Sequence, residues 1–181
     1  HLLKLRNKDE YTAQHSIAVG AIGVKICQLL GLAEEQAKIV GMAGVMHDIG
    51  KVRLPDSILN KPYNLNSQEW ELMKKHPQFG YEILKTMKDI APEIQLAVLQ
   101  HHERLDGSGY PLGFTAKKIH LYSRILAVSD SFDAMTTERV YNQPLSIFDA
   151  SKELLSLAYR NQLDIQIVIR FVHYLVDMSP G

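Results

Sequence analysis

The chain has 181 residues, with Lys plus Arg equal to Asp plus Glu at 20 each, and 46% hydrophobic against 22% charged residues. This composition excludes a disordered chain, and zero formal charge leaves no electrostatic footprint for DNA or RNA. Apolar runs fall far short of the roughly 18 residues that span a bilayer, and no basic-then-apolar leader opens the chain. One domain over residues 1–181 in a cytoplasmic setting is expected. A first residue of His1 rather than Met suggests a piece excised from a longer protein. The single cysteine, Cys27, cannot close an internal disulfide and reads as a small buried hydrophobe.

Helical periodicity runs through the whole sequence. His15, Val19, Ile22, Ile26 and Leu29 recur at spacings of three and four, one face of a helix over about 10–30 that Gly31 stops. Ala37, Val40, Gly44 and His47 make a second such face, ending at Gly50. A loop rich in Pro, Asp and Asn follows. Asn66 with Glu69 then forms a capping box, and Leu65 with Trp70 has the spacing of a hydrophobic staple. Pro77 interrupts that helix, with His76 at the break, and Pro92 opens another in which Ile94, Val98 and His101 share a face. Two glycine turns occupy 106–111. A helix over Leu121–Thr136 puts Leu126, Asp130 and Asp133 on one side, and Ser146 and Asp164 cap two more helices. Alternating period-two segments are essentially missing, so the expected fold is an all-α single compact bundle of about seven or eight helices.

Several residues do not suit a core. His15, His47 and His101 lie on inward faces, His76 lies at a helix junction, and Asp48 and Asp130 stand where apolar residues are expected. Taken singly, each histidine suits a hydrogen-bonded core position, and His1, His120 and His173 have no suggestive neighbours. The adjacent pairs His47-Asp48 and His101-His102 are different, since they crowd donors into one arc unless a cation receives them. Imidazole plus carboxylate without sulfur suits divalent ions such as Fe, Mn or Zn. The set exceeds what one ion needs, and two-metal centres, with ions about 3.5–4 Å apart, typically cleave phosphate esters.

The ordered set His15, His47-Asp48, Asp130 resembles the signature of the HD phosphohydrolase superfamily. His47-Asp48-Ile49-Gly50-Lys51, His76-Pro77, His101-His102-Glu103-Arg104 and Asp106-Gly107-Ser108-Gly109-Tyr110-Pro111 resemble its HD-GYP subfamily, as do 130–136 and Arg139-Val140-Tyr141. The likeness covers essentially the entire chain.

That resemblance implies an all-α, metal-dependent phosphodiesterase that hydrolyses cyclic di-GMP to linear pGpG, with GMP as a further product in some members. It implies that His15, His47, Asp48 and Asp130 hold one divalent ion, and that Asp48 bridges to a second held by His76, His101 and His102. Fe or Mn is favoured; Ni, Co and Zn also fit. Hydrolysis by metal-bound hydroxide is expected, with Lys51 neutralising a phosphate oxygen, Arg139 contacting phosphate or guanine, and Tyr110 either stacking on a base or bracing His101 and His102. Expected partners are cyclic di-GMP, an upstream sensory or receiver domain and other proteins, with a homodimer left open and no nucleic acid.

Two departures from the subfamily pattern occur. Tyr11 stands four residues before the first histidine, where some members carry a Glu for a third metal, so two metals are expected. Asn142 follows Arg139-Val140-Tyr141 where Arg or Lys is usual, which removes a cation that could meet a phosphate. Two alternative functions remain at this point: a catalytically weak regulator that binds a nucleotide or protein, and a phosphohydrolase acting on another nucleotide.

Overall fold

The computed structural model describes residues 2–61, 63–138 and 143–178, and among them every regular element is helical. In chain order these are α1 (Leu2–Leu29), α2 (Glu34–Met46), a 3-10 turn (Ile49–Arg53), α3 (Asp56–Leu59) and α4 (Ser67–Met73). There follow α5 (His76–Thr86), α6 (Pro92–Gln100), a second 3-10 turn (Ala116–Lys118), α7 (Leu121–Thr136), α8 (Ile147–Tyr159) and α9 (Ile165–Asp177). Eight of the helices correspond to expected ones, although α1 begins at Leu2 where a start near residue 10 was expected. The ninth, α3, is a single turn inside the segment expected as loop, where Pro55 at the N-cap supplies extended geometry and lets four residues wind.

The boundaries follow local chemistry. Gly31 adopts φ +72, a conformation that stops α1 with little cost only because no Cβ is present. Asn66 accepts from Glu69 N at 2.9 Å while Glu69 accepts from Asn66 N at 2.7 Å, the reciprocal box expected from sequence. Ser146 and Asp164 accept from Asp149 N and Gln166 N, each at 3.0 Å, capping α8 and α9. The face expected to run to Gly50 is shorter, because α2 ends at Met46. Asp48 takes φ −98, ψ 4, and the chain tightens into the 3-10 turn.

Ile26, Val40, Leu84, Val98, Ile125, Leu126, Leu154 and Val168 are wholly excluded from solvent and join α1, α2, α5–α9 in one core. Each such side chain contributes on the order of 1.5–3 kcal/mol by burial. Phe132 on α7 meets Phe171 on α9 edge to face, centroids 5.0 Å apart. Cys27 lies within this core, and burial pushes its thiol up to about 11, so it is a packing residue. α1 and α2 approach unusually closely: a Cβ on Gly44 would fall 2.5 Å from Gly20 Cα. That contact fixes how far α1, which carries His15, stands from α2, which His47 caps.

Candidate metal centre

All seven residues expected to ligate metal converge on one site. α1 supplies His15 and α7 supplies Asp130, while His47 and Asp48 follow the last turn of α2. His76 opens α5, and His101 and His102 close α6. Backbone contact locks two of these segments together, since a Cβ on Gly50 would lie 1.9 Å from His76 O and 2.4 Å from Gly80 N. Only hydrogen fits there, so the turn after Asp48 rests directly on the start of α5. Two clusters result: His15, His47 and Asp48 form one, and His76, His101 and His102 the other. Neighbouring rings span the gap, with His47 and His101 centroids 5.0 Å apart.

Ring orientation is set by hydrogen bonds on the far side of each imidazole. His47 Nδ1 donates to Gly44 O at 2.7 Å, His76 Nδ1 to Met73 O at 2.9 Å, and His101 Nδ1 to Val98 O at 2.7 Å. His15 Nδ1 donates to Asp133 Oδ2 at 2.6 Å. A carbonyl or carboxylate oxygen only accepts, so Nδ1 carries the hydrogen and the Nε2 lone pair of each neutral ring points inward. There the atoms meet electron-rich neighbours. His76 Nε2 faces His101 Nε2 at 3.3 Å, and His15 Nε2 faces Asp130 Oδ1 at 3.3 Å. Asp48 turns one oxygen to each cluster: Oδ2 lies 3.3 Å from His47 Nε2, and Oδ1 lies 3.3 Å from His76 Nε2. Asp48 Oδ1 is buried and accepts no well-formed hydrogen bond. Between the His76 and His101 nitrogens and the unpartnered Asp48 Oδ1, acceptor meets acceptor in a dry interior, which demands positive charge there. The donor set therefore fits divalent metal ions.

Electrostatics divide the clusters. Burial lowers the His15 pKa, but hydrogen bonds to Asp130 and Asp133 outweigh it and raise it from 6.5 to about 9. Burial opposes charge on His47 as well, and Asp48 overcomes it, moving the pKa up. At His101 and His102 the carboxylates of Asp48 and Asp130 favour charge too weakly to offset burial. Burial drives His101 well below its usual range and His102 down to about 3, leaving both neutral and ready to ligate. Burial favours protonation of Asp48, yet His47 and Lys51 keep it well below the ordinary carboxylate range; His15 and its neighbours do the same for Asp130.

A cavity of about 210 Å³ opens onto this centre, lined by His15, His47, Asp48, Lys51, His102 and Asp130, with Ala134 beside them. Lys51 Nζ donates to Asp48 Oδ2 at 2.6 Å from the partly exposed 3-10 turn. The Gly-Tyr-Pro loop packs behind the second cluster. Tyr110 N donates to His102 O at 3.2 Å, and the Tyr110 ring lies 4.7 Å from that of His102. Burial raises the Tyr110 hydroxyl pKa, so it stays a neutral donor. Arg139 and Asn142 lie outside the described residues, as does His1; the side chain of Tyr11 is likewise outside them.

Three residues not singled out from sequence complete the site. Asp133 orients His15, as above; it shares a helical face with Asp130 three residues earlier, which was its visible signal. Glu103 is buried and accepts from Leu112 N at 2.7 Å and Phe114 N at 2.9 Å, clamping the loop to α6. Gln100 accepts from His120 N at 2.9 Å and Ser123 Oγ at 3.1 Å, tying α6 to α7. His120 in turn caps α7 by accepting from Tyr122 N.

The model of the HD domain matches residues 2–167. The chain belongs to the HD-domain family. Its Gly-Tyr-Pro loop behind His101 and His102 makes it of the HD-GYP type. A cyclic di-GMP phosphodiesterase of Pseudomonas aeruginosa is 37% identical over 171 residues, which is 94% of this chain and 41% of that protein. A 3'3'-cGAMP-specific phosphodiesterase of Vibrio cholerae is 40% identical over 153 residues, 82% of this chain and 29% of the relative. The HD domain thus spans about two fifths or less of the length of these curated relatives. An HDG"Y"P protein of Bdellovibrio bacteriovorus shares the fold, with TM-score 0.74, 19% identity, and coverage of 91% of this chain and 52% of that one. No helix among the described residues is long and apolar enough to cross a membrane.

Proposed function

We propose that this HD domain is a phosphodiesterase for cyclic dinucleotides that hydrolyses cyclic di-GMP to linear pGpG. The observation that carries the proposal is Asp48, whose two oxygens each face one histidine cluster. One carboxylate can then serve a binuclear centre, with His15, His47 and Asp130 on one ion and His76, His101 and His102 on the other. Fe or Mn suits this mixture of nitrogen and oxygen donors, and Ni, Co or Zn is accommodated by the same set. Two bound divalent ions supply an acidified water and offset charge building on the phosphoryl oxygens.

The chain's own side chains do the remaining work. The cavity has room for a phosphodiester group but not a whole dinucleotide, so the sugars and bases rest on its rim. Lys51, pairing with Asp48 at the mouth, is placed to exchange that carboxylate for a non-bridging phosphate oxygen. Asp133 keeps the His15 ring presenting Nε2. Tyr110 holds His102 from behind, ring against ring. Arg139 is assigned to phosphate or guanine from its sequence position alone.

The 3'3'-cGAMP-specific relative supports a second reading in which the substrate is that mixed dinucleotide. Metal-loaded protein incubated with cyclic di-GMP, 3'3'-cGAMP and cyclic di-AMP separates them. Faster release of pGpG from cyclic di-GMP than of linear product from the others is expected. Preference for 3'3'-cGAMP replaces the substrate, and no hydrolysis of any of them overturns the proposed function.

A further inference from the structure

Trp70 is the only tryptophan in the chain, and it stands 46% exposed on the first turn and a half of α4. Its position is not casual. The Asn66–Glu69 capping box anchors that helix start, and Lys61 Nζ adds a 2.5 Å bond to Glu69 Oε2. The Trp70 ring meets Tyr110 edge to face, centroids 6.1 Å apart at 78°. Tyr110 is also enclosed by His102 at 4.7 Å and 33° and by His76 at 6.4 Å and 74°. Three rings therefore crowd around the tyrosine, which is largely committed to bracing the centre. Trp70 is the outermost ring of the same run, beginning at a metal-type histidine and ending in solvent.

Resting on the function proposed above, we infer that the exposed face of Trp70 is the stacking platform for one nucleobase of the substrate. A phosphodiester seated at the Asp48 centre carries its bases outward through the sugars, and the ring series from His102 to Tyr110 at 4.7 Å and on to Trp70 at 6.1 Å leads outward from a residue that lines the cavity. Every base presents a π-face, so such a platform adds affinity without choosing between guanine and adenine. Specificity for the base edge must come from elsewhere, and Trp70 accounts for binding strength alone.

Because the chain holds one tryptophan, its own fluorescence reports the contact. Metal-loaded protein is titrated with cyclic di-GMP, following tryptophan emission and, in parallel, heat. Emission is expected to be quenched along the same isotherm as the heat. Trp70→Ala should weaken the dissociation constant about tenfold with metal content as in the parent, Trp70→Phe should restore it to within about threefold, and ribose 5-phosphate, which has no base, should bind parent and Trp70→Ala alike. Heat without a change in emission, or a Trp70→Ala constant within twofold of the parent, overturns the platform and leaves the phosphodiesterase reading intact. Failure of the parent to bind or hydrolyse cyclic di-GMP overturns that reading and the platform with it.

Discussion

Asp133 Oδ2 accepts a 2.6 Å hydrogen bond from His15 Nδ1, and the opposite nitrogen of the same ring lies 3.3 Å from Asp130 Oδ1. Three residues apart on α7, the two carboxylates thus take opposite ends of one imidazole. Asp130 shares the centre with His15, whereas Asp133 governs which nitrogen His15 presents to it. Replacing Asp133 by Ala leaves every metal-type residue in place but frees the ring to turn and lowers its basicity. Metal affinity should fall about 10–100-fold, as for other partners of ligating histidines. A competition titration against a chelator of known affinity checks this, and an unchanged affinity would remove Asp133 from the site.

The proton on His15 gives metal binding a pH dependence of definite sign. Its pKa in the metal-free fold is raised from 6.5 to about 9. That proton stabilises the metal-free protein fully below pH 6.5, and the contribution is lost as pH rises toward 9. A metal ion must displace the same proton. Apparent metal affinity should therefore tighten by about tenfold per pH unit through this window, while the melting temperature of the metal-free protein declines. Isothermal titration at several pH values, in buffers of different ionisation enthalpy, counts the proton released. No release near pH 7.5 would contradict a protonated His15.

Gly50 tests how the second cluster is positioned. A methyl group there collides with His76 O and Gly80 N, both backbone atoms that cannot rotate away. Gly50→Ala should cost about 3 kcal/mol by overpacking. At about 2–4 °C per kcal/mol for a domain of this size, thermal unfolding should drop by roughly 10 °C. The α5 start should also be displaced, and with it His76. A variant melting like the parent would show that the turn and α5 can separate without consequence.

Glu103 carries a different load. Its two oxygens receive the Leu112 and Phe114 amides, so removing it orphans two donors and releases the Gly-Tyr-Pro loop. Glu103→Ala should destabilise by about 2–3 kcal/mol. Hydrogen exchange at those two amides should accelerate more than exchange in the α7 core. Uniform acceleration would assign Glu103 to global stability and not to the loop.

Much of this was legible in the sequence, and the reasons are physical. Helix faces spaced at three and four, and cap residues such as Asn66, Ser146 and Asp164, act over a few positions, so they read directly from the chain. The histidines of the candidate centre were visible because His15, His47 and His101 occupy faces where apolar residues belong. Glu103 and Asp133 were harder. Each lies beside a recognised residue, but its role is defined by a partner far along the chain: His15 for Asp133, and the amides of Leu112 and Phe114 for Glu103. The early end of α2 was hidden for a similar reason, since the 3-10 turn follows from the contact of Gly50 with α5, twenty-six residues beyond it. Trp70 reads locally as the staple partner of Leu65, and only the fold brings Tyr110 to its edge.

A binuclear centre bridged by Asp48 is tested most directly by metal stoichiometry in the parent and two variants. After anaerobic loading with iron or manganese, elemental analysis should find two ions per chain in the parent. His101→Ala should retain about one, and Asp48→Ala should lose both together with hydrolysis of cyclic di-GMP. A parent that binds a single ion, or an Asp48→Ala variant that keeps two, would contradict a pair of ions bridged by Asp48.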